Sequence, residues 1–229
     1  MRKQFNPGGE PAPSTTSEVP ARLPAAVWLW LANLEPGGGI LLVGNSSPYK
    51  DYYQSTWFDE VSEYDPTGEP NLHGSLRLPF GDAAFRAVSI HGMWSEAWTG
   101  FGRSHRRLVE ECARVLQPSG VLHLTDQNPL WKGFLVSQAP RKDGSRMIGI
   151  PSALWRSQAR RAGFRRVRTY FLEPSTHFPA SVIPVGHRTV RAHQSLGSGS
   201  ATSRLARTIV RRLGGSDLLY PAVLHLAER

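Results

Sequence analysis

The sequence predicts an α/β protein with three layers, α/β/α, around a mostly parallel sheet. Short apolar runs alternate with segments of helical periodicity along most of the 229 residues, and strands joined by helices form parallel sheets covered on both faces. The run Ile40–Gly44 is apolar throughout, which is typical of a strand buried on both faces. A chain of this length buries about three quarters of its unfolded surface, so a sizeable core is expected.

Two periodicities locate the individual elements. Apolar residues recur at three- and four-residue intervals in the predicted helices, which span residues 20–34, 102–116, 151–162 and 203–213. The predicted strands are shorter apolar runs, at residues 40–44, 58–64, 75–78, 86–91, 121–126, 164–172 and 220–228. The helix at 102–116 has the clearest pattern, and Gly163 is the expected left-handed C-cap of the helix before it.

The chain divides into a tail and one domain. Residues 1–19 are rich in Pro, Gly, Ser and Thr and lack apolar periodicity, so they bury too little surface to offset their ordering entropy. We expect a disordered tail there and a single domain at 20–229. Within the domain, residues 174–214 form a long insert between the sixth and seventh predicted strands.

Cysteine content and hydropathy favour a cytoplasmic protein. Cys112 is the only cysteine, so no internal disulfide is expected, as suits a reducing compartment. The most apolar segment, AAVWLWLANL, is too short to span a bilayer, and the N-terminal residues lack the apolar stretch of a signal peptide. The eight histidines do not converge with Cys or acids at metal-ligand spacing, so no metal site is predicted.

The positive charge is concentrated towards the C-terminus. Of the 27 Lys and Arg residues, 15 lie within residues 141–215, where Asp143 and Glu173 are the only acids. Such asymmetry is found on surfaces that bind nucleic acid or anionic membranes, and it is also found on ordinary solvated helices. The predicted helix 203–213, with Arg204, Arg207 and Arg211 on one side, fits the solvated alternative best.

Candidate ligand-binding residues are those that directly follow strands. In open parallel sheets, ligands bind outside the carboxyl ends of the strands. The segments at that edge are Gly44–Pro48, Asp65, Leu78–Phe80, His91–Glu96 and Asp126–Asn128.

Six segments carry a family resemblance: ILLVGNSS, VSEYDP, SLRLPFGDAAFRAVSIHG, LVEECARVLQPSGVLHLTD, ARRAGFRRVRTYF and YPAVLHLAER. In this order they resemble the class I S-adenosylmethionine-dependent methyltransferases, specifically the small type 11 branch. LPFGDAAFRAV looks like that family's L-P-F-x-D-x-x-F-D-x-V, and ECARVLQPSGVLHL looks like its helix, R-V-L-x-P-G-G turn and fifth strand. The resemblance implies a Rossmann-like seven-stranded sheet with an antiparallel last strand, S-adenosyl-L-methionine as cofactor, and methyl transfer to oxygen or nitrogen of a small molecule.

The resemblance also implies roles for individual residues. Gly44 occupies the first glycine position of the cofactor loop, and Asp65 the position of the acid that accepts both ribose hydroxyls, although an Asp before Pro66 also suits a simple turn. The implied cofactor-binding set is Gly44, Asn45, Ser46, Asp65, Leu78, Phe80 and His91.

Several positions depart from the family pattern. Leu42 occupies the position of the family's acid in strand one, and Ser46 and Pro48 occupy the positions of its later loop glycines. Gly74 lies at about the position of the family's acid near the adenine. Polar groups at Asn45 and Ser46 are still able to hold a carboxylate of the cofactor.

The methyl-transfer chemistry has its own candidates. His91, Glu96 and Asp126 are the candidate bases for the acceptor proton, and Tyr49, Trp94, Asn128 and His177 the candidate acceptor contacts. Each has a structural alternative, such as packing for the aromatic residues and a turn for Asn128. We expect insert 174–214 to form one wall of the acceptor site, with its arginines favouring an anionic acceptor.

Two other functions stay open from the sequence. The departures at Leu42, Pro48 and Gly74 favour a methyltransferase-fold protein that binds or regulates without catalysis. The basic C-terminal third favours an RNA methyltransferase, but no RNA-binding module or N-P-P-Y-type motif accompanies it. The sequence leaves the acceptor and the oligomeric state undetermined.

Overall fold

The computed structural model describes residues 22–44, 47–65, 76–91, 103–127, 152–173, 181–185, 220 and 222–229. Its helices are α1 (Arg22–Ala32), α2 (Ser47–Thr56), α3 (Arg103–Val115) and α4 (Ser152–Arg161). Its strands are β1 (Gly39–Gly44), β2 (Glu60–Tyr64), β3 (Phe85–His91), β4 (Leu116–Gln127), β5 (Arg166–Glu173), β6 (Ser181–Pro184) and β7 (Ala222–Glu228). The predicted tail at 1–19 and the predicted helix at 203–213 lie outside the described residues.

The described strands form one sheet in the order β2-β1-β3-β4-β7-β5-β6. β1 pairs in parallel with β2 and β3, and β3 pairs in parallel with β4. β7 runs antiparallel to both β4 and β5, and β6 runs antiparallel to β5. Most strands of this sheet therefore share one direction, and the expected antiparallel last strand is confirmed.

The seven strands of this sheet are not the seven that the sequence predicts. The prediction of a strand at 75–78 is wrong for its described part, because Leu76–Leu78 has no strand structure. The backbone N–H and C=O of Leu78 bond to side chains of α3 instead of to a neighbouring strand. The seventh strand is β6, which comes from the insert at 174–214.

Two hydrophobic clusters cover the two faces of the sheet and give the three predicted layers. Alternate residues of β1 point to opposite faces: Leu41 and Val43 belong to one cluster, and Ile40 and Leu42 to the other. The first cluster contains buried residues of α3 and α4, namely Leu108, Val109, Cys112, Trp155 and Ala159. The second contains Trp28 and Leu29 of α1 and Tyr53 of α2.

A buried polar network links α1 and α2 to the sheet. The Nε1–H of Trp28 donates to the Tyr53 hydroxyl at 2.7 Å, and the Ser89 hydroxyl lies 2.6 Å from Nδ1 of His123. The His123 ring stacks on Trp28, with centroids 4.5 Å apart. Tyr53 is fully buried, so it packs on the sheet, as the structural alternative for the tyrosines of this segment predicts.

A similar arrangement occurs on the opposite face of the sheet. The Thr169 hydroxyl lies 3.0 Å from Nδ1 of His225, and the His225 ring stacks on Trp155 with centroids 4.6 Å apart. The two histidines lie on neighbouring strands at adjacent levels. Each is buried because a hydroxyl on the next strand satisfies one ring nitrogen and an indole covers its face.

The helix boundaries follow the sequence signals. α3 spans Arg103–Val115 against the predicted 102–116, and α4 spans Ser152–Arg161 against 151–162. Gly163 has φ = +96° and its N–H bonds to the carbonyl of Arg160, so the predicted left-handed C-cap is confirmed.

One glycine is required by close packing rather than by φ. A Cβ on Gly120 would lie 2.9 Å from the Gln117 carbonyl oxygen and 3.1 Å from that of Arg86. We expect Gly120→Ala to lower the free energy of unfolding by about 1–3 kcal/mol, since backbone atoms on two strands must shift.

Urea denaturation followed by circular dichroism measures this difference. Gly81→Ala is the matched control, because a Cβ there meets nothing within 4 Å. Equal stability of the two variants would contradict the packing explanation.

Candidate functional site

The carboxyl ends of the parallel strands meet at one edge. Gly44 at the end of β1 pairs with His91 of β3, and His91 pairs with Thr125 of β4. Val43 pairs with Tyr64 of β2, so the next residue, Asp65, follows at the level of Gly44. The structure thus brings together the backbones of four segments that the sequence predicts to lie side by side.

Gly44 leaves the end of β1 in a conformation that side chains rarely adopt. Its φ is +94°, and glycine reaches this region without a steric penalty because it lacks Cβ. A residue with a Cβ would therefore be strained at this position. The loop residues Asn45 and Ser46, both predicted to hold the cofactor, lie outside the described part of the chain.

Leu42 belongs to the core rather than to the site. Its side chain is fully buried in the cluster with Trp28 and Tyr53. The position at which the resemblance implies an acid therefore holds an apolar packing residue. Asp65, in contrast, directly follows β2 and is exposed.

Residues Leu78–Asp82, the LPF segment, are anchored to α3 by two charged side chains. A Glu111 carboxylate oxygen accepts from the Leu78 amide at 2.8 Å. Arg114 donates to the carbonyls of Leu78 and Phe80 at 3.0 and 2.9 Å, and to Asp82 at 2.7 Å. Glu111 and Arg114 also pair with each other at 2.7 Å. The two side chains thus replace the strand pairing that this segment lacks.

The electrostatics of this anchor favour the charged forms of both partners. Burial alone would raise the pKa of Glu111, but hydrogen bonds from Arg114 and the Leu78 amide, together with the Arg114 charge, lower that pKa below its usual range. Hydrogen bonds to Glu111 and Asp82 raise the pKa of Arg114. Because both charges are paired and hydrogen-bonded, the anchor is stable in this partly buried position.

The LPF segment turns its own side chains into the core. Leu78 is buried, and the partly buried Phe80 ring packs edge-on against Phe85, with centroids 5.0 Å apart. The cofactor contacts predicted for Leu78 and Phe80 stay predictions.

The structure describes only some of the predicted catalytic and acceptor residues. The backbones of His91 and Asp126 lie near the carboxyl ends of β3 and β4, and Asp126 pairs with Val223 of the antiparallel β7. Tyr49 lies on α2, partly buried against the cluster that contains Tyr53, and this burial raises its pKa. The other candidates, Trp94, Glu96, Asn128 and His177, lie outside the described residues.

Sequence reasoning missed Glu111 and Arg114 as determinants of the site. A signal was available, because an acid and an arginine three residues apart share one side of a helix. Their partners lie more than thirty positions earlier, so the spacing alone does not show that they hold the LPF segment.

Metal ligation and membrane insertion find no support in the described part of the chain. No cluster of three or more His, Cys, Asp or Glu side chains occurs among the described residues. Within the same ranges, no helix has both the length and the apolar character needed to cross a bilayer.

Comparison with known structures identifies the fold. The chain is similar to an S-adenosylmethionine-dependent methyltransferase from Archaeoglobus fulgidus, with a TM-score of 0.55 and 12% identity over 90% of this chain and 93% of that one. It is also similar to a protein from Galdieria sulphuraria assigned as a sarcosine dimethylglycine methyltransferase, with a TM-score of 0.51 and 16% identity over 89% and 83% of the two chains.

A third similar structure has a bound cofactor. Phosphoethanolamine N-methyltransferase 2 of Haemonchus contortus, in complex with S-adenosyl-L-methionine, matches with a TM-score of 0.53 and 10% identity over 90% of this chain and 52% of that one. No protein-family model and no curated protein sequence matches the chain. The chain therefore has the Rossmann-like fold of the S-adenosylmethionine-dependent methyltransferases, as its sequence predicts.

The Glu111 anchor makes a pH-dependent contribution to stability. We expect Glu111→Gln to lower the free energy of unfolding at neutral pH by about 1.5–3 kcal/mol, since it removes the charge from hydrogen bonds to Arg114. Because the pKa of Glu111 is lowered in the folded protein, this difference is fully present above the unfolded carboxyl pKa of about 4.3 and shrinks as the pH falls through the lower folded value.

Urea titrations of both proteins at several pH values measure this dependence. Glu110→Gln is the control, because Glu110 pairs with Arg106 at an exposed i,i+4 position and contributes only about 0.3–0.5 kcal/mol. A difference for Glu111→Gln that is small, or that does not decrease in acid, would count against the anchor.

Proposed function

We propose that this protein is an S-adenosylmethionine-dependent methyltransferase that transfers a methyl group to oxygen or nitrogen of a small molecule. One observation supports this most directly: in a methyltransferase fold, Gly44 turns with φ = +94° at the carboxyl edge, level with the exposed Asp65. These two residue types answer the two needs of the cofactor, close backbone approach and a carboxylate for the ribose hydroxyls.

The described residues at this edge fit the cofactor. When bound, S-adenosyl-L-methionine supplies a methyl group on a positively charged sulfur that is already activated for displacement. In this proposal Gly44 lets the loop backbone approach the methionine part, and Asp65 accepts hydrogen bonds from the ribose. Asn45 and Ser46 supply further polar groups in place of the missing loop glycines.

The contribution of the chain to the chemistry is mainly alignment. Holding an acceptor in line with an activated group supplies on the order of 7–11 kcal/mol in favourable intramolecular models. A general base helps where the acceptor must lose a proton. His91 and Asp126 are the candidate bases whose backbones lie at this edge, and Glu96 is the third candidate.

The acceptor is proposed to be a small molecule. The structurally similar Haemonchus contortus enzyme is described in complex with phosphomonomethylethanolamine and S-adenosylhomocysteine, with a TM-score of 0.52, which illustrates that this fold accommodates small charged acceptors. Trp94, Asn128 and His177 are proposed acceptor contacts, and Tyr49 of α2 is a fourth. A cytoplasmic setting agrees with a single cysteine that is buried in the core.

The buried Leu42 favours a second candidate, a methyltransferase-fold protein that binds without catalysing. An apolar side chain at this position cannot replace the hydrogen bonds of the acid found in related enzymes. This candidate shares the fold and differs in whether the edge still binds the cofactor productively. The change in cofactor affinity when the Asp65 carboxylate is removed therefore distinguishes the two candidates.

Asp65→Ala tests the site directly. We expect isothermal titration of the purified protein with S-adenosylhomocysteine to show saturable binding, and the variant to bind at least about tenfold more weakly, since hydrogen bonds to a charged carboxylate contribute about 1.5–3 kcal/mol.

The matched control is Glu63→Gln. Glu63 is an exposed carboxylate two residues earlier, in β2, and its partner is Lys50 at 2.8 Å, so its removal should leave the affinity nearly unchanged. Absence of any heat or thermal stabilisation at millimolar ligand would overturn the enzymatic proposal. If a folded Asp65→Ala variant binds S-adenosylhomocysteine as tightly as the unmodified protein, the non-catalytic candidate is favoured.

A further inference from the structure

A polar cleft lies at the end of the parallel strands opposite to the candidate methyl-transfer site. It has a volume of about 510 Å³ and lies between the end of α1, the start of β4 and the ends of β5 and β7 that adjoin them. Three arginines line it: Arg86, Arg166 and Arg168. We call this the arginine cleft. Its volume falls in the range that accommodates small-molecule ligands.

The arginine cleft lies away from the edge that carries Gly44 and His91. Val121 of β4 lines the cleft, whereas Thr125 lies level with His91 and Gly44 at the carboxyl edge. Four residues of extended chain separate these two levels by about 13 Å. A ligand in the cleft therefore lies at the opposite end of the strands from a methyl group bound near Gly44.

The cleft has an excess of positive charge. Glu228 is the only acid among its lining residues, and it is shared by two of the arginines: it pairs closely with Arg168 and lies 3.8 Å from Arg166. Among the described residues, the ion pair of Arg86 is with Glu35, at 4.0 Å, and the Glu35 side chain is 87% exposed. Such an exposed contact neutralises little of the Arg86 charge.

Two of the arginines are held in place by backbone carbonyls. Arg86 donates to the carbonyl of Pro36 at 3.2 Å, and its side chain lies against Gly38. Arg168 donates to the carbonyl of Leu31 at 2.8 Å, at the end of α1. A guanidinium has five N–H donors, so these bonds orient each group and leave donors for a ligand.

The third arginine is only loosely engaged. The side chain of Arg166 is 67% exposed and makes its one described charge contact, with Glu228, at 3.8 Å. The exposed side chains of Gln117 and Ser119, at the start of β4, add further polar groups to the lining. Two anchored arginines beside an exposed third are suited to an anion with several oxygen acceptors, because guanidinium groups bind such anions through paired hydrogen bonds.

We propose that the arginine cleft binds a phosphorylated small molecule through Arg86, Arg166 and Arg168. The site is separate from the methyl-transfer edge, and this assignment does not depend on the proposed methyltransferase activity. The phosphate group would supply the negative charge that Glu228 alone does not provide for the three arginines.

Nuclear magnetic resonance titration of the full chain with inorganic phosphate, at constant ionic strength maintained with chloride, tests the proposal. We expect saturable shifts centred on the amides of Gly120 and Val121. Arg166→Gln should weaken binding at least about tenfold, since a charged hydrogen bond contributes about 1.5–3 kcal/mol. Arg166 is chosen because its removal breaks no backbone contact described above, so the variant should fold.

Arg165→Gln is the matched control, since Arg165 is an exposed neighbour that does not line the cleft. It removes the same net charge and should leave phosphate binding unchanged. The proposal is overturned if phosphate gives no saturable shifts, if the two variants weaken binding equally, or if S-adenosylhomocysteine displaces the phosphate.

Discussion

Burial of β1 on both faces is the constraint from which the rest of the sheet follows. Its odd and even residues enter different clusters, so both of its faces are covered, as is typical of parallel strands, and both neighbouring strands pair with it in parallel. Parallel pairing aligns the carboxyl ends of β1, β2 and β3, and this alignment brings Gly44, Asp65 and His91 to one edge. The candidate site is thus a consequence of the parallel pairing of β1 with β2 and β3.

The segment before β3 shows a different way to satisfy backbone polar groups. Where a sheet strand was predicted at 75–78, Leu78 instead bonds through both its amide and its carbonyl to Glu111 and Arg114. A buried backbone group must find a partner, and two charged side chains on one helix provide it here. Because α3 also leads directly into β4, the position of the LPF segment is coupled to that of the next strand.

Two buried histidines have polar partners on neighbouring strands. Ser89 with His123 and Thr169 with His225 each join neighbouring strands, and each imidazole stacks on a tryptophan from a covering helix. These pairs lie within otherwise apolar clusters, where an unsatisfied polar group is costly. They therefore restrict which residues can lie opposite each other, and they help to set the register of the sheet. The arginines, in contrast, gather at the amino edge, where Glu228 compensates them only in part.

The sequence by itself determined the layers, most strands, the ends of α3 and α4 and the left-handed turn at Gly163, because periodicity and glycine geometry act over a few residues. It also indicated Gly44 and Asp65 as site residues, since strand ends are visible locally. Only the tertiary structure decided that Leu76–Leu78 forms no strand, that β6 joins the sheet, and that Arg86, Arg166 and Arg168 share a cleft. Each of these depends on contacts between residues far apart in the chain, and no local pattern encodes which distant partner satisfies a given backbone group or charge.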